Sequence, residues 1–201
     1  LASAQEVAKK MGIPKVYGSY DEIINDQDID VIYNPLPNHM HVEWTAKAIR
    51  AGKHVLCEKP LFIHPEEAKA LIELRDKYQV KVGEAFMVKS HPQWQKAREL
   101  VESGALGIPS MYIGTFNYYN DDPKNIRNIE QFGGGALWDI GCYTVMTSRY
   151  IFGENPVSVV ASIHKDPEFK TDILSSVILE FPGEKRAQFS VSTKTAKYQR
   201  V

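Results

Sequence analysis

The sequence predicts an α/β fold, a parallel sheet with helical crossovers followed by an α+β domain whose sheet is mostly antiparallel. Three observations predict it. Between residues 30 and 86, short apolar runs alternate with segments of helical periodicity, the pattern of parallel strands joined by right-handed crossovers. After Val88 that alternation stops, and a helix, a long strand and a polar loop follow. From Val157 onward, apolar and polar residues alternate in segments joined by short turns, as in an antiparallel sheet. The change of pattern divides the chain into residues 1–88 and 89–201.

The first element reads as a helix from Ala2 to Met11, stopped by Gly12 with Pro14 beyond. A short strand is expected at Lys15–Tyr17. A helix follows Ser19, with Asp21 and Glu22 in the first turn, where negative charge suits the helix dipole. Asp30–Asn34 reads as a buried strand. Val42, Thr45, Ala46 and Ile49 recur at helical spacing up to Ala51-Gly52. His54–Cys57 reads as a second buried strand. Pro65 suits the first position of the next helix, whose apolar face would be Ala68, Leu71, Ile72 and Tyr78. Lys81–Phe86 completes the alternation. In the second half, a helix is expected over Pro92–Glu102, a strand over Ser110–Tyr119, and a helix over Ala136–Phe152 after Gly133-Gly134-Gly135. Strands are expected at Val157–His164, Ile173–Phe181 and Arg186–Thr193, with Pro182-Gly183-Glu184 as a hairpin turn.

Composition narrows the function classes. Hydrophobic residues make up 43% of the 201 residues and charged residues 24%, with a formal net charge of −1. A near-neutral chain has no general electrostatic pull toward nucleic acid or acidic membrane, and neither is expected as a partner. No apolar run approaches the ~20 residues of a membrane span. The start, Leu1-Ala2-Ser3-Ala4-Gln5-Glu6, lacks the basic and apolar regions of a signal peptide. Cys57 and Cys142 are too few for a disulfide framework, and free thiols fit a reducing, cytoplasmic setting.

Ligands of an open parallel sheet bind beyond the carboxyl ends of its strands. Three loops leave those ends: Pro35-Leu36-Pro37-Asn38-His39, Glu58-Lys59-Pro60 and Met87-Val88-Lys89. Lys59 is either a reactive group at the end of a buried strand or a solvated loop lysine paired with Glu58. The Lys59–Pro60 bond is expected to be cis, a form that only bonds to proline take cheaply. His39 and His41 lack nearby carboxylates or thiols, so no metal is expected, and a helix N-terminus or a ligand hydroxyl suits them better. Asp139 and Tyr143 are four apart on an expected helix and so share a face. The glycines before that helix allow close approach of backbone or ligand, or they form only a turn while Tyr143 packs in the core.

These residues resemble a known family. Asn34-Pro35-Leu36-Pro37-Asn38-His39-Met40-His41 and Ala51-Gly52-Lys53-His54-Val55-Leu56-Cys57-Glu58-Lys59-Pro60 look like the signature of the Gfo/Idh/MocA oxidoreductases. Glu84-Ala85-Phe86-Met87, His91-Pro92-Gln93 and the run from Gly133 to Tyr143 agree in order. The tyrosine ending that run, and Asn120-Asp121-Asp122-Pro123 before it, look most like the branch of D-xylose dehydrogenases and dimeric dihydrodiol dehydrogenases. The resemblance implies that residues 1–88 are the C-terminal part of a Rossmann-type dinucleotide-binding domain. Residues 89–201 would then be an incomplete substrate and dimerisation domain. The family's opening strand and Gly-x-Gly-x-x-Gly turn have no counterpart, with Leu1 falling where a later helix would begin, so the chain reads as an internal fragment.

What the resemblance implies chemically is an NAD- or NADP-dependent oxidation of a sugar, polyol or cyclic diol. Lys59, Asp139 and Tyr143 are the expected catalytic residues. Tyr143 would take the hydroxyl proton, with Lys59 polarising the same oxygen and lowering the tyrosine's pKa. Asn34, Pro35, Leu36, Asn38, His41, Glu58, Lys59 and Lys89 are expected on the cofactor side. His91, Gln93, Asn117, Arg127 and Trp138 are expected on the substrate side. A homo-oligomer is expected for the full-length protein, through the open face of the second sheet. Two alternatives remain open: a glucose–fructose-type oxidoreductase with tightly held NADP, and a non-catalytic ligand-binding protein on the same fold.

Overall fold

The computed structural model describes residues 2–201. The chain divides into two compact units, Leu1–Leu36 with Met40–Glu84, and Pro37–His39 with Ala85–Val201.

In the first unit, α1 (Ala2–Met11) and α2 (Tyr20–Asn25) precede β1 (Val31–Asn34), α3 (Asn38–Arg50), β2 (His54–Glu58), α4 (Pro65–Tyr78) and β3 (Val82–Ala85). The helix starts follow from local chemistry. Ser19 Oγ accepts from the Glu22 amide at 3.2 Å, and the Glu22 carboxylate accepts from the Gly18 amide at 2.8 Å. Glu67 likewise accepts from the His64 amide at 2.9 Å, with Pro65 at the first turn of α4. The sheet order is β1-β2-β3, and β1 pairs with β2 in parallel, Asn34 opposite Cys57.

One face of this sheet is packed. Ala46, Ala48 and Ile49 of α3, Leu71 of α4 and Val55 and Cys57 of β2 form one buried cluster. Several expectations are corrected here. β1 and β2 are not buried on both faces, since Val31, Tyr33 and Leu56 on the opposite face are 56%, 55% and 44% exposed. Two-residue alternation sends those side chains away from the helices. On α4, Leu71 and Leu74 meet the core, whereas Ile72 and Tyr78 are exposed. Lys15–Tyr17 is not a strand. Its side chains are used instead of its backbone, with Lys15 paired to Asp26 and the Tyr17 hydroxyl donating to Asp26 at 2.5 Å.

The second unit holds α5 (Pro92–Glu102), β4 (Met111–Tyr119), α6 (Cys142–Phe152), β5 (Ser158–Lys165), β6 (Asp172–Glu180), β7 (Arg186–Ser192) and β8 (Lys194–Arg200). Its five strands run in the order β5-β6-β7-β4-β8. Every pairing is antiparallel except β4 with β7, which is parallel. The inner face, Val177, Leu179, Ala187, Phe189 and Val191, packs against Ala136, Ile140 and Phe152. Gly183 and Glu184 take φ of +71° and +61° at the expected hairpin turn, where positive φ lets the strands keep their twist. Within the expected helix 136–152, Leu137–Gly141 is a π-turn, closed by the Cys142 amide donating to the Leu137 carbonyl, and α6 begins only after it. Among the described residues no helix is long and apolar enough to cross a membrane.

Candidate active site

The first unit places Lys59 directly after β2. The Lys59–Pro60 bond is cis, as expected. Parallel pairing of Asn34 with Cys57 makes the loops after β1 and β2 leave the same edge of the sheet side by side. Two residues hold those loops from beneath. Asn34, 3% exposed, donates to the His41 carbonyl and to Thr45 Oγ1, both at 3.2 Å, and accepts from the Leu36 amide at 3.3 Å. His41, 1% exposed, sets Nδ1 2.7 Å from the Pro60 carbonyl oxygen and Nε2 against the Leu36 carbonyl oxygen. One buried ring therefore ties the β1 loop to the β2 loop. Its ring nitrogens face carbonyls of this unit, so its task lies inside the protein. Glu58 accepts from the Tyr33 hydroxyl at 2.6 Å, and its carboxylate raises the pKa of that phenol.

Sequence reasoning named Glu84 only as part of a motif. The residue is exposed, yet its carboxyl is tucked toward the Leu61 amide, which donates to it at 2.8 Å. Loss of hydration pushes the Glu84 carboxyl up from the ordinary carboxylate range. The Leu61 hydrogen bond and the positive charge of His41 and Lys59 pull the other way. A carboxylate within electrostatic reach of Lys59 thus comes from β3, a relation no local spacing encodes.

The second unit gathers its polar groups on Asp139. Tyr118 donates its hydroxyl to Asp139 Oδ2 at 2.6 Å, and Arg127 Nε bonds the same oxygen at 3.0 Å. Burial, and then the Asp139 carboxylate, push the Tyr118 phenol far above its ordinary pKa, so this tyrosine is a fixed donor. Tyr143 sits half-buried between Phe86, edge-on at 5.6 Å between ring centroids, and Phe116 at 6.0 Å. Asp139 lies within the π-turn and Tyr143 beyond it on α6, so the spacing rule of an α-helix does not carry over to this pair.

The other expected residues divide. Arg127 joins Asp139, and Trp138 is its half-buried neighbour on the same turn. Asn117 does not join them. It donates to Thr115 Oγ1, two residues back on the same strand face at 3.3 Å, while Phe116 and Tyr118 pack against the core. Reading β4 with a two-residue period would have chosen Tyr118 over Asn117. His91 caps α5, accepting from the Gln93 amide at 3.2 Å, and both residues are exposed. Lys89 is exposed on the 3-10 turn Met87–Ser90. Asn38 donates to the Gly133 carbonyl at 2.9 Å, and His39 stacks on Phe132 at 4.2 Å.

Two of the glycines before the π-turn let backbone and side chain of the protein itself approach closely. A Cβ on Gly134 would lie 2.5 Å from the Arg127 carbonyl oxygen, and one on Gly135 would lie 2.1 Å from Asp172 Oδ1.

Residues 1–86 match the oxidoreductase family with an NAD-binding Rossmann fold, and residues 94–201 match the GFO/IDH/MocA C-terminal domain. The chain is 36% identical to D-xylose 1-dehydrogenase (NADP(+)) 2 of Haloferax volcanii, over 100% of its own length and 62% of the relative's. It is also 36% identical to trans-1,2-dihydrobenzene-1,2-diol dehydrogenase of Xenopus tropicalis, over 94% and 57% of the two lengths. The crystal structure of aldose-aldose oxidoreductase from Caulobacter crescentus, complexed with glycerol, superposes with a TM-score of 0.90 at 30% identity, over 97% of this chain and 61% of that one. The chain thus spans about 60% of the length of the relatives it matches. Its two halves match the family's two domains in order, and the chain belongs to the Gfo/Idh/MocA oxidoreductase family.

Proposed function

We propose that the whole protein carrying this chain transfers a hydride between a sugar, polyol or cyclic diol and NAD or NADP. The observation that carries this reading is the sheet edge where the loops after β1 and β2 emerge together, with Lys59 on the second of them. That edge is where open α/β sheets bind ligands. Its chemistry suits a nicotinamide: Pro35 and Leu36 offer an apolar wall, and Glu58 and Lys59 offer polar groups on a loop held still by His41. Pro35, Leu36, Asn38, Glu58, Lys59 and Lys89 would hold the cofactor, with Asn34 and His41 shaping the loops beneath. When bound, the nicotinamide accepts or returns the hydride. The names of the relatives, a xylose, a dihydrodiol and an aldose enzyme, support the substrate class.

The chain's own residues manage charge and proton. Lys59 stabilises the negative charge that grows on the substrate oxygen as its proton leaves. Tyr143 takes that proton. Asp139, fixed by Tyr118 and Arg127, orders the polar side of the substrate pocket with Trp138, His91 and Gln93. Two cysteines, Cys57 and Cys142, too few for a disulfide framework, fit a reducing, cytoplasmic setting. The open face of the β5–β6 sheet is the proposed contact between copies in a homo-oligomer.

Tyr143→Phe tests the assignment of the proton acceptor. The variant should keep substrate KM and lose kcat by ~10²-fold or more, since a positioned acid–base group contributes 10²–10⁴-fold. Its residual rate should rise with pH as hydroxide replaces the phenol. A kcat within twofold of wild type, about the smallest change such kinetics resolve, would remove Tyr143 from the chemistry.

A further inference from the structure

The segment that carries Asp139 and Tyr143 has no cap of its own. Ala136 precedes the π-turn and offers no side-chain acceptor. The first amides of a helical segment are orphan donors, and a buried one must find an acceptor elsewhere. The Leu137 amide finds it in Asp172, the first residue of β6, whose Oδ2 accepts at 2.8 Å. Ser175 Oγ donates to the same oxygen at 2.8 Å. Asp172 is 9% exposed and Ser175 fully buried, so this carboxyl is not a surface solubility group. Burying a carboxyl is costly unless its oxygens are used, and Oδ2 of Asp172 serves both the Leu137 amide and the Ser175 hydroxyl.

Its other oxygen is fitted to the backbone. Gly135, at φ +120°, leaves room for Oδ1 that a Cβ would occupy, at 2.1 Å. The Gly135 amide donates to the Arg127 carbonyl at 2.9 Å, and Arg127 Nε holds Asp139. Arg127, Gly135, Asp172 and Leu137 thus enclose the start of the segment, with Asp139 two residues along and Tyr143 on the first turn of α6. A cap lent by a neighbouring strand fixes where a helical segment begins and so where each of its side chains points.

We propose that Asp172 is a positioning residue, which sets Asp139 and Tyr143 for proton transfer by capping the π-turn from β6. It acts through those residues, and the inference rests on the functional reading above. The test is made in the whole protein with Asp172→Ala, which removes the acceptor, and Asp172→Asn, which keeps one oxygen for the Leu137 amide. Two readouts are taken: kcat and KM, and the ring resonance of isotope-labelled Tyr143 without substrate, with Tyr150 at the far end of α6 as the control.

Asp172→Ala should move the Tyr143 resonance and leave Tyr150 in place. It should lower kcat by ~10- to 100-fold, the scale of a small misplacement of a reacting group. KM should stay within about twofold, and Asp172→Asn should restore most of kcat. A folded Asp172→Ala variant with an unmoved Tyr143 resonance and wild-type kcat overturns the proposal, as does Asp172→Asn falling as far as Asp172→Ala. If Asp172→Ala does not fold, Asp172→Glu decides, because the longer side chain has no room beside Gly135: an unmoved Tyr143 resonance there overturns it. If the wild-type protein oxidises no sugar or diol, the functional reading fails, while the Tyr143 resonance still decides whether Asp172 sets its position.

Discussion

At the scale of single residues, Cys57 shows how burial decides chemistry. Its side chain is fully buried, and that burial pushes the thiol pKa up to about 12, against a hydrogen bond from Thr45 that pulls it down. The thiolate is the reactive form, so at neutral pH Cys57 is inert. A disulfide reagent at pH 7 should leave Cys57 unmodified in the folded protein and modify it after denaturation, as read by peptide mass. Modification of Cys57 in the native state would contradict the packing of β2 against α3 and α4. Lys59, two residues later and on the strand's exit, was legible because a lysine there departs from an otherwise apolar run. Glu84, Tyr118 and Asp172 were not legible in the same way. Each acquires its partner across 20 or more residues, at Leu61, Asp139 and Leu137 in turn. No periodicity within a single element reports such a pairing.

At the scale of elements, strong patterns and clear punctuation were readable, and elements lacking them were not. Pro65, Pro92 and Gly12 marked helix ends correctly, because each acts through its own backbone. β8 was missed because Lys194–Arg200 has no apolar face, being an exposed edge strand that pairs with β4. The π-turn was missed because its sequence is that of an ordinary helix. β5 is exposed along its whole length, and Val160, at 67%, shares its outer face with Ile178 and Leu174 of β6, at 37% and 44%. Apolar surface of this kind on a sheet marks an interaction face. Sedimentation of the whole protein should give a homo-oligomer that Val160→Lys converts toward monomer. A wild-type monomer at high concentration would contradict the proposed contact.

At the scale of the whole molecule, the two halves carry different sheet types. The strand–helix alternation of residues 30–86 specifies a parallel sheet, whose strand ends are the proposed place of the cofactor. The alternating tail specifies a sheet that braces the helix bearing Asp139 and Tyr143. The fold class was readable because both periodicities are strong. The specific substrate is not written in either pattern, since neither period encodes which side chains meet across elements. The account turns on Lys59 as the positive charge at the reacting oxygen. The direct measurement is reduced-nicotinamide formation by the whole protein with sugars and cyclic diols, compared between wild type and Lys59→Ala. Wild type should turn over at least one of them, and Lys59→Ala should bind the cofactor normally while kcat falls by at least ~10²-fold. Wild-type turnover in Lys59→Ala would contradict the account.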